Sequence, residues 1–271
     1  MLKKILVAMD FSPAWPQLRQ RLLSLRDWGA DSLVLVHVLS SRYPATPEES
    51  HRAHYQQALN KEAEALQQLG FQVSVELRVG EPGSELVAAS QSHGCELLLL
   101  GSSGHGHIHE FLLGSTVLDV ARLTCRPLWL EPVGKQARSS EGGALLLATD
   151  GSPAAAAAEA WFAWLRPYFS KSVAMTVIGH GSGEQRERQD LEQHLKRLSQ
   201  DLPGLQLRIE LGHAQRRISA VAEELPAALT VIGKRGRNAL QDLLMGSTAE
   251  GVCRATRMPV LLVPGCTIPS T

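Results

Sequence analysis

The sequence predicts an α/β protein made of two doubly wound, five-stranded parallel-sheet domains in tandem, paired as a pseudo-twofold dimer within one chain. Three observations predict it. Short apolar runs alternate with amphipathic, helix-like stretches along all 271 residues, the pattern of strands covered on both faces by crossover helices. A glycine-rich segment occurs twice with the same spacing. It reads Gly101-Ser-Ser-Gly104, nine residues, Gly114-Ser115-Thr116, and again Gly233-Lys-Arg-Gly236, nine residues, Gly246-Ser247-Thr248. Finally, the halves superpose by a constant offset of 132 residues from Gly80 and Gly212 to Pro132 and Pro264, and by 140 where Asp10-Phe-Ser-Pro13 meets Asp150-Gly-Ser-Pro153. That period is too long for a solenoid and suits a complete domain. Residues 1–132 form the first domain, 133–143 a linker rich in Gly, Lys, Arg and Ser, and 144–271 the second domain.

Each element has a local reason. Lys4–Met9 is a short apolar strand. Ser12 then Pro13 is a hydroxyl cap followed by proline in the first turn, opening a helix to about Gly29. Ser32–Leu39 is predominantly apolar, the pattern of a strand buried on both faces. Thr46-Pro47-Glu48-Glu49 is a capping box that opens an amphipathic helix to about Gln68. Gln72–Val79 alternates as a strand, Ser84–His93 is helical, and Glu96–Leu100 is the fourth strand. The glycine segment follows, then a helix from Ser115 to Leu123 and a fifth strand, Pro127–Glu131. The second half repeats the order: strands at Ala144–Thr149, Ser172–Ile178, Gln206–Leu211, Leu229–Ile232 and Pro259–Val263, with helices from Pro153, around Glu187–Gln200, around Arg217–Leu225 and from Ser247. Both fifth strands are short apolar edges opened by proline. Such edges invite pairing with another strand, so the halves are expected to meet there.

Composition excludes several classes. The formal net charge is zero, so no basic field draws the chain to nucleic acid or an anionic membrane. No segment is long and apolar enough to span a bilayer. Cys95, Cys125, Cys253 and Cys266 lack metal spacing and do not correspond between the halves, so neither a disulfide frame nor a zinc site is indicated. A cytoplasmic, reducing setting is expected.

The chemistry lies in the repeated segment. A helix opening at Gly114-Ser115-Thr116 presents amide N–H groups without helical partners and the positive end of the helix dipole. A glycine turn after a strand adds backbone donors and lets a phosphate come close. The alternative is local: Gly101 and Gly104 make a tight strand exit, and Ser115 caps the helix. The segment is neither a Walker A loop nor a dinucleotide fingerprint, because the required Gly-Lys-Ser/Thr and third glycine are missing. Asp10 and Asp150 end the first strand of each half, where a carboxylate can accept a ribose hydroxyl, help hold a metal near phosphates, or cap the next helix. His105, His107 and His109 have metal-like alternation but no fourth ligand, and are read as solvated residues near the ligand.

The strand-1 Asp followed by Ser-Pro, the Leu-Val-His-Val of the second strand, the spaced glycine motif and the proline before the fifth strand together resemble the universal stress protein family in its tandem form. The resemblance implies an ATP-binding stress-response or regulatory protein, with Mg2+ as a companion ion. Ala8 and Val38 would hold adenine, Asp10 the ribose, and Gly101, Gly104, Gly114, Ser115 and Thr116 the phosphates. The matching positions of the second half are Ala148, Val177, Asp150, Gly233, Gly236, Gly246, Ser247 and Thr248, with Thr176 where the first half has a histidine. The chain is expected to be non-catalytic or a very slow ATPase, with no catalytic residue and no resident metal. The alternative is a nucleotide-independent scaffold or chaperone-like stress protein with vestigial loops. Adenine nucleotide is the expected partner; a further homodimer is left open.

The two loops differ in titratable groups. The first carries three histidines and the second Lys234, Arg235 and Arg237. Free imidazole titrates near pH 6.5, whereas lysine and arginine stay charged through neutrality. ATP affinity of the first half is therefore expected to rise as pH falls from about 8 to 6, with the second half nearly flat. Equal pH dependence at both sites would remove the histidines from the ligand.

Overall fold

The computed structural model describes residues 2–12, 15–40, 48–102, 113–133, 142–179, 184–236, 245–255 and 257–266. The chain divides into two compact units, the first spanning Met1–Gly134 and the second Lys135–Pro269. The first unit runs β1 (Lys4–Ala8), α1 (Trp15–Arg26), β2 (Ser32–Ser40), α2 (Glu48–Gln68), β3 (Gln72–Gly80), α3 (Pro82–Ser92), β4 (Leu97–Gly101), α4 (Ser115–Leu123) and β5 (Leu128–Glu131). Its strands are parallel in the order β3-β2-β1-β4-β5. The second unit runs β6 (Leu145–Ala148), α5 (Ala156–Leu165), a 3-10 turn (Arg166–Tyr168), β7 (Ser172–Ile178), α6 (Glu184–Asp201), β8 (Gln206–Leu211), α7 (Ala214–Glu224), β9 (Leu229–Gly233), α8 (Ser247–Ala255) and β10 (Val260–Val263). Its strands are parallel in the order β10-β9-β6-β7-β8.

Most predicted elements form within one or two residues of their expected bounds. Helices α6 and α7 begin three residues before their expected starts, and two other helix starts differ for identifiable reasons. Helix α3 begins at Pro82 rather than Ser84, because Pro82 takes the first helical position and Glu81 supplies the extended cap backbone. Helix α5 begins at Ala156 rather than Pro153. Ser152 N–H is taken by the Asp150 carboxylate at 3.0 Å, and a turn closed by Ala155 N–H on Ser152 C=O intervenes. The predicted capping residues Thr46 and Pro47, and Pro13, lie outside the described residues.

Strand burial follows the doubly covered pattern. Ile5–Val7, Leu33–Val36 and Leu97–Leu100 are buried in the first unit, as are Leu145–Leu147, Val173–Met175 and Leu229–Ile232 in the second. In both units the chain crosses from one side of the first strand to the other, so β1 lies between β2 and β4, and β6 between β7 and β9. This reversal of strand order leaves a crevice at the carboxyl ends of the strands.

The two units keep the same contacts with the partners exchanged. In the first, Gly83 of α3 faces Asp119 of α4, and a Cβ on Gly83 would stand 2.5 Å from Asp119 Cβ. The 132-residue offset maps this pair onto Gln215 and Gly251, and there a Cβ on Gly251 of α8 would collide with Gln215 of α7. On the outer strands the charges invert. Arg78 bonds Glu76 and Glu85, each at 3.0 Å. At the offset positions Arg208 bonds Glu210 at 2.6 Å, and Arg217 lies 3.8 Å from Glu210. Burial opposes ionisation of Glu76, but hydrogen bonds from Arg78 and His93 outweigh it and hold its carboxyl below the usual range. Such charges blunt an outer strand against unwanted pairing.

The exchanged glycine pair makes a prediction. Gly83→Gln is expected to destabilise the protein by about 1–3 kcal/mol through overpacking. Asp119→Gly added to it is expected to restore part of that loss, although a helix-interior glycine by itself costs about 0.5–1 kcal/mol. Urea unfolding of both single variants and the double variant reads the sign; simple additivity would remove the swap.

Cys95 and Cys253 are buried, Cys125 and Cys266 exposed. Burial pushes the Cys95 thiol up to about 11 and the Cys253 thiol to about 12, so neither supplies thiolate at neutral pH. Iodoacetamide at pH 8 is expected to add to Cys125 and Cys266 alone, and to Cys95 and Cys253 only after unfolding. Peptide mass spectrometry checks this.

Candidate functional site

The site is assembled at the crevice by three segments. The first is the turn after the first strand. Asp10 Oδ1 accepts the Ser12 N–H at 2.9 Å, and Asp150 Oδ1 accepts the Ser152 N–H at 3.0 Å. With one oxygen each carboxylate therefore closes a turn onto the N–H two residues ahead. The second segment is the strand-4 exit, and the third is the helix start that returns to it. Ser102 N–H bonds Glu131 C=O at 2.8 Å, and Gly114 N–H bonds Ser102 C=O at 3.2 Å. In the second unit Lys234 N–H bonds Val263 C=O at 2.7 Å, and Gly246 N–H bonds Lys234 C=O at 2.9 Å. The strand exit thus anchors the helix cap in both halves by the same pair of hydrogen bonds.

The helix starts match in exposure as well. Leu113 and Met245 are buried, Gly114 and Gly246 half-buried, Ser115 and Ser247 exposed, Thr116 and Thr248 half-buried, and Val117 and Ala249 buried. Among the described residues, a Cβ on Gly114 would meet nothing nearer than Ser102 O at 4.0 Å. Ser115 and Ser247 are the first residues of helices α4 and α8.

Five residues singled out from the sequence, Ala8, Asp10, Val38, Gly101 and Thr116, line one cavity of about 180 Å³ in the first unit. Met9, Ser12, Trp15, His37 and Leu86 are among its other walls. In the second unit Ala148 ends β6, Val177 lies on β7 and Gly233 ends β9. Gly236 lies directly against Asp150, where an added Cβ would stand 2.6 Å from Oδ2. Gly104, His105, His107, His109 and Arg237 lie outside the described residues. Among the described residues no group of three metal-binding side chains comes together. Each half offers a single first-strand carboxylate, so a Mg2+ ion here would be held mainly by ligand phosphates and water.

Sequence reasoning missed an aromatic group packed on His37, a wall of the first cavity. Phe11 has φ +55°, a conformation that L side chains adopt at a cost, whereas its counterpart Gly151 takes φ +64° freely. The Phe11 ring lies 5.0 Å from His37 and 5.5 Å from Tyr55 of α2, and His37 lies 4.5 Å from Tyr55. His37 Nδ1–H donates to Met9 C=O at 2.7 Å, which sets the ring's tautomer. Trp15 Nε1–H, close by, donates to Glu62 of α2 at 2.7 Å. The second unit differs: Glu159 of α5 accepts from Thr149 and from His194 of α6, the latter at 2.7 Å, and the His194 ring lies over Gly151. A phenylalanine opposite a glycine was the available signal.

Among the described residues no helix is long and apolar enough to cross a membrane. Residues 1–130 and 143–264 match the sequence model of the universal stress protein family. A universal stress protein of Mycolicibacterium smegmatis is 27% identical over 256 residues, covering 85% of this chain and 86% of the relative. A solved universal stress protein from Archaeoglobus fulgidus is similar with a TM-score of 0.80 at 20% identity, over 97% of each chain. The cytoplasmic domain of a prokaryotic cation chloride cotransporter is similar with a TM-score of 0.60 at 14% identity, over 98% of this chain and 97% of that one. At these identities the two solved structures establish the fold alone, and a shared fold leaves the chemistry to the site.

Proposed function

We propose that this chain, which belongs to the universal stress protein family, is a cytoplasmic regulatory protein of the stress response that binds an adenine nucleotide, ATP, without fast turnover. The observation that carries the reading is the convergence, in the first unit, of the strand-1 carboxylate, the strand-4 glycine and the start of α4 on one cavity. The helix start offers amide donors and positive dipole to a phosphate. Ala8, Val38 and His37 supply an apolar and aromatic wall for a base, and Asp10 stands where a ribose hydroxyl would donate. At about 180 Å³ the cavity is smaller than the roughly 300–1,000 Å³ of common ligand pockets. It therefore suits the base and ribose, with the phosphates outside along Gly114–Thr116.

No lysine or arginine stands at the positions of a Walker A motif, and a phosphoryl-transfer site relies on such a charge. Turnover below about one per minute is expected, against roughly 10 per second for a typical enzyme. The test is mass spectrometry of ligand released from protein purified without added nucleotide, followed by calorimetry with ATP. Co-purified adenine nucleotide, or ATP binding in the micromolar range, supports the reading. Failure of the whole chain to bind any adenine nucleotide overturns it in favour of a scaffold.

A further inference from the structure

We infer that Glu159 is a positioning residue of the second half's site: bonded to Thr149 and His194, it fixes the turn that carries Asp150. The inference rests on the nucleotide reading above, carried from Asp10 to its counterpart Asp150. It concerns what holds that carboxylate in place, which the reading leaves open.

Asp150 sits in a turn with two consecutive closures. Gly151 N–H donates to Thr149 Oγ1 at 3.1 Å, and Ser152 N–H donates to Asp150 Oδ1 at 3.0 Å. Each is a side chain closing on the backbone two residues ahead. A threonine hydroxyl has a single proton, and Thr149 gives it to Glu159 Oε1. Glu159 therefore sets the rotation of the hydroxyl and leaves its lone pairs to the Gly151 N–H. The same Oε1 accepts His194 Nε2–H at 2.7 Å. A chain of hydrogen bonds thus runs from α6 through α5 to the turn after β6, with Glu159 at its centre. The His194 ring covers that turn: a Cβ on Gly151 would stand 3.0 Å from its Cγ, and Gly151 fits beneath it at φ +64°. On the side of the β9 exit, a Cβ on Gly236 would stand 2.6 Å from Asp150 Oδ2. The carboxylate is lodged across the crevice with little freedom to shift.

Tying α5 to α6 needs only the His194 bond. The Thr149 bond adds little to that tie and reaches the site instead. Thr149 is 6% exposed and the Glu159 side chain 13% exposed. Hydrogen bonds to a carboxylate screened from water are of the stronger kind, and linked bonds reinforce one another. The first half holds its corresponding turn differently. The offset of 140 places Met9 at Thr149 and Arg19 at Glu159. Met9 has no hydroxyl to close the turn, and Arg19 is exposed. There the Phe11 ring packs on Tyr55 of α2, where the second half uses a hydrogen-bonded chain. Glu62, which the offset of 132 pairs with His194, takes the Trp15 indole N–H instead.

The test is calorimetry on the full chain, with Gly114→Asp and Ser115→Asp silencing the first half. The probes are ATP and dideoxy-ATP, which lacks both ribose hydroxyls. Glu159→Ala and Thr149→Val are each expected to weaken ATP about fivefold, as loss of one hydrogen bond does. Dideoxy-ATP is expected to bind as before, because only the contact with Asp150 is lost. Glu159→Gln keeps an oxygen acceptor and is expected to bind ATP nearly as the parent does. Thr149→Val carries the readout should Glu159→Ala lower the melting temperature. A purely structural role for Glu159 would weaken both nucleotides alike. The inference is overturned if they weaken together, if neither weakens, or if Glu159→Gln binds as poorly as Glu159→Ala. It is also overturned, with the nucleotide reading left standing on the first half, if ATP binds the unsubstituted chain but not its second half. Absence of ATP binding by the unsubstituted chain overturns the nucleotide reading itself, and this inference with it.

Discussion

Asp at both Gly114 and Ser115 is expected to abolish ATP binding in the first half while the second half keeps its own. Gly114 caps α4 and is held by its N–H to Ser102 C=O. Among the described residues a Cβ at Gly114 meets nothing nearer than Ser102 O at 4.0 Å, and Ser115 is exposed, so the new side chains do not enter the core. Two carboxylates there would occupy the helix amides themselves and repel the phosphates. One helix-terminus interaction is worth about 0.3–1 kcal/mol, rising to about 2 in partly buried geometry. Several donors lost together with added like-charge repulsion exceed about tenfold in affinity. Calorimetry reads the stoichiometry: unchanged binding in the double variant would withdraw the assignment of phosphates to this helix. The corresponding Gly246 and Ser247 variant isolates the other half.

The second large effect is on stability. Trp129→Ala is expected to destabilise the first unit by about 3–5 kcal/mol, the range for deleting a buried tryptophan. Trp129 is 1% exposed, lies 5.5 Å from the Trp28 ring, and has the Arg21 guanidinium 5.3 Å from its ring centre. Its Nε1–H donates to Glu131 at 2.8 Å, and Glu131 also takes Arg21 at 2.8 and 3.2 Å. Removing the ring leaves a cavity and takes one donor from a carboxylate that is 7% exposed. Glu131→Ala should be milder than a fully buried pair broken, about 3–5 kcal/mol, because the Arg21 side chain keeps 21% exposure. Urea unfolding of the full chain measures both; a loss below about 1 kcal/mol for Trp129→Ala would contradict the packing argument. The offsets place Trp161, Tyr168, Leu261 and Val263 at these positions in the second half, an apolar replacement of a kind that often proves neutral or stabilising.

Much of the fold was legible because its signals are local. The uninterrupted apolar runs Leu33–Val36 and Leu97–Leu100 require cover on both faces, and alternation with helices then requires parallel strands. Ser115–Leu123, Ser172–Ile178 and Gln206–Leu211 form at the bounds read from pattern alone. The start of α5 was less legible, because a turn closed by Ala155 N–H on Ser152 C=O precedes the helix.

For the candidate site, the sequence by itself determined the repeated glycine spacing, the strand-1 aspartates and the small residues at two helix starts. These are compositional demands of backbone approach, and they show in a single chain compared with itself. Tertiary structure alone decided what surrounds them. Phe11, His37 and Tyr55 are separated by 26 and 18 residues in sequence and meet only because β1 pairs with β2 and α2 covers them. The burial of Ser152 and Thr176 without hydroxyl partners among the described residues shows only in the tertiary structure. A periodic pattern specifies which face of an element is buried; what that face meets depends on contacts distant in the chain, and those set the difference between the two halves.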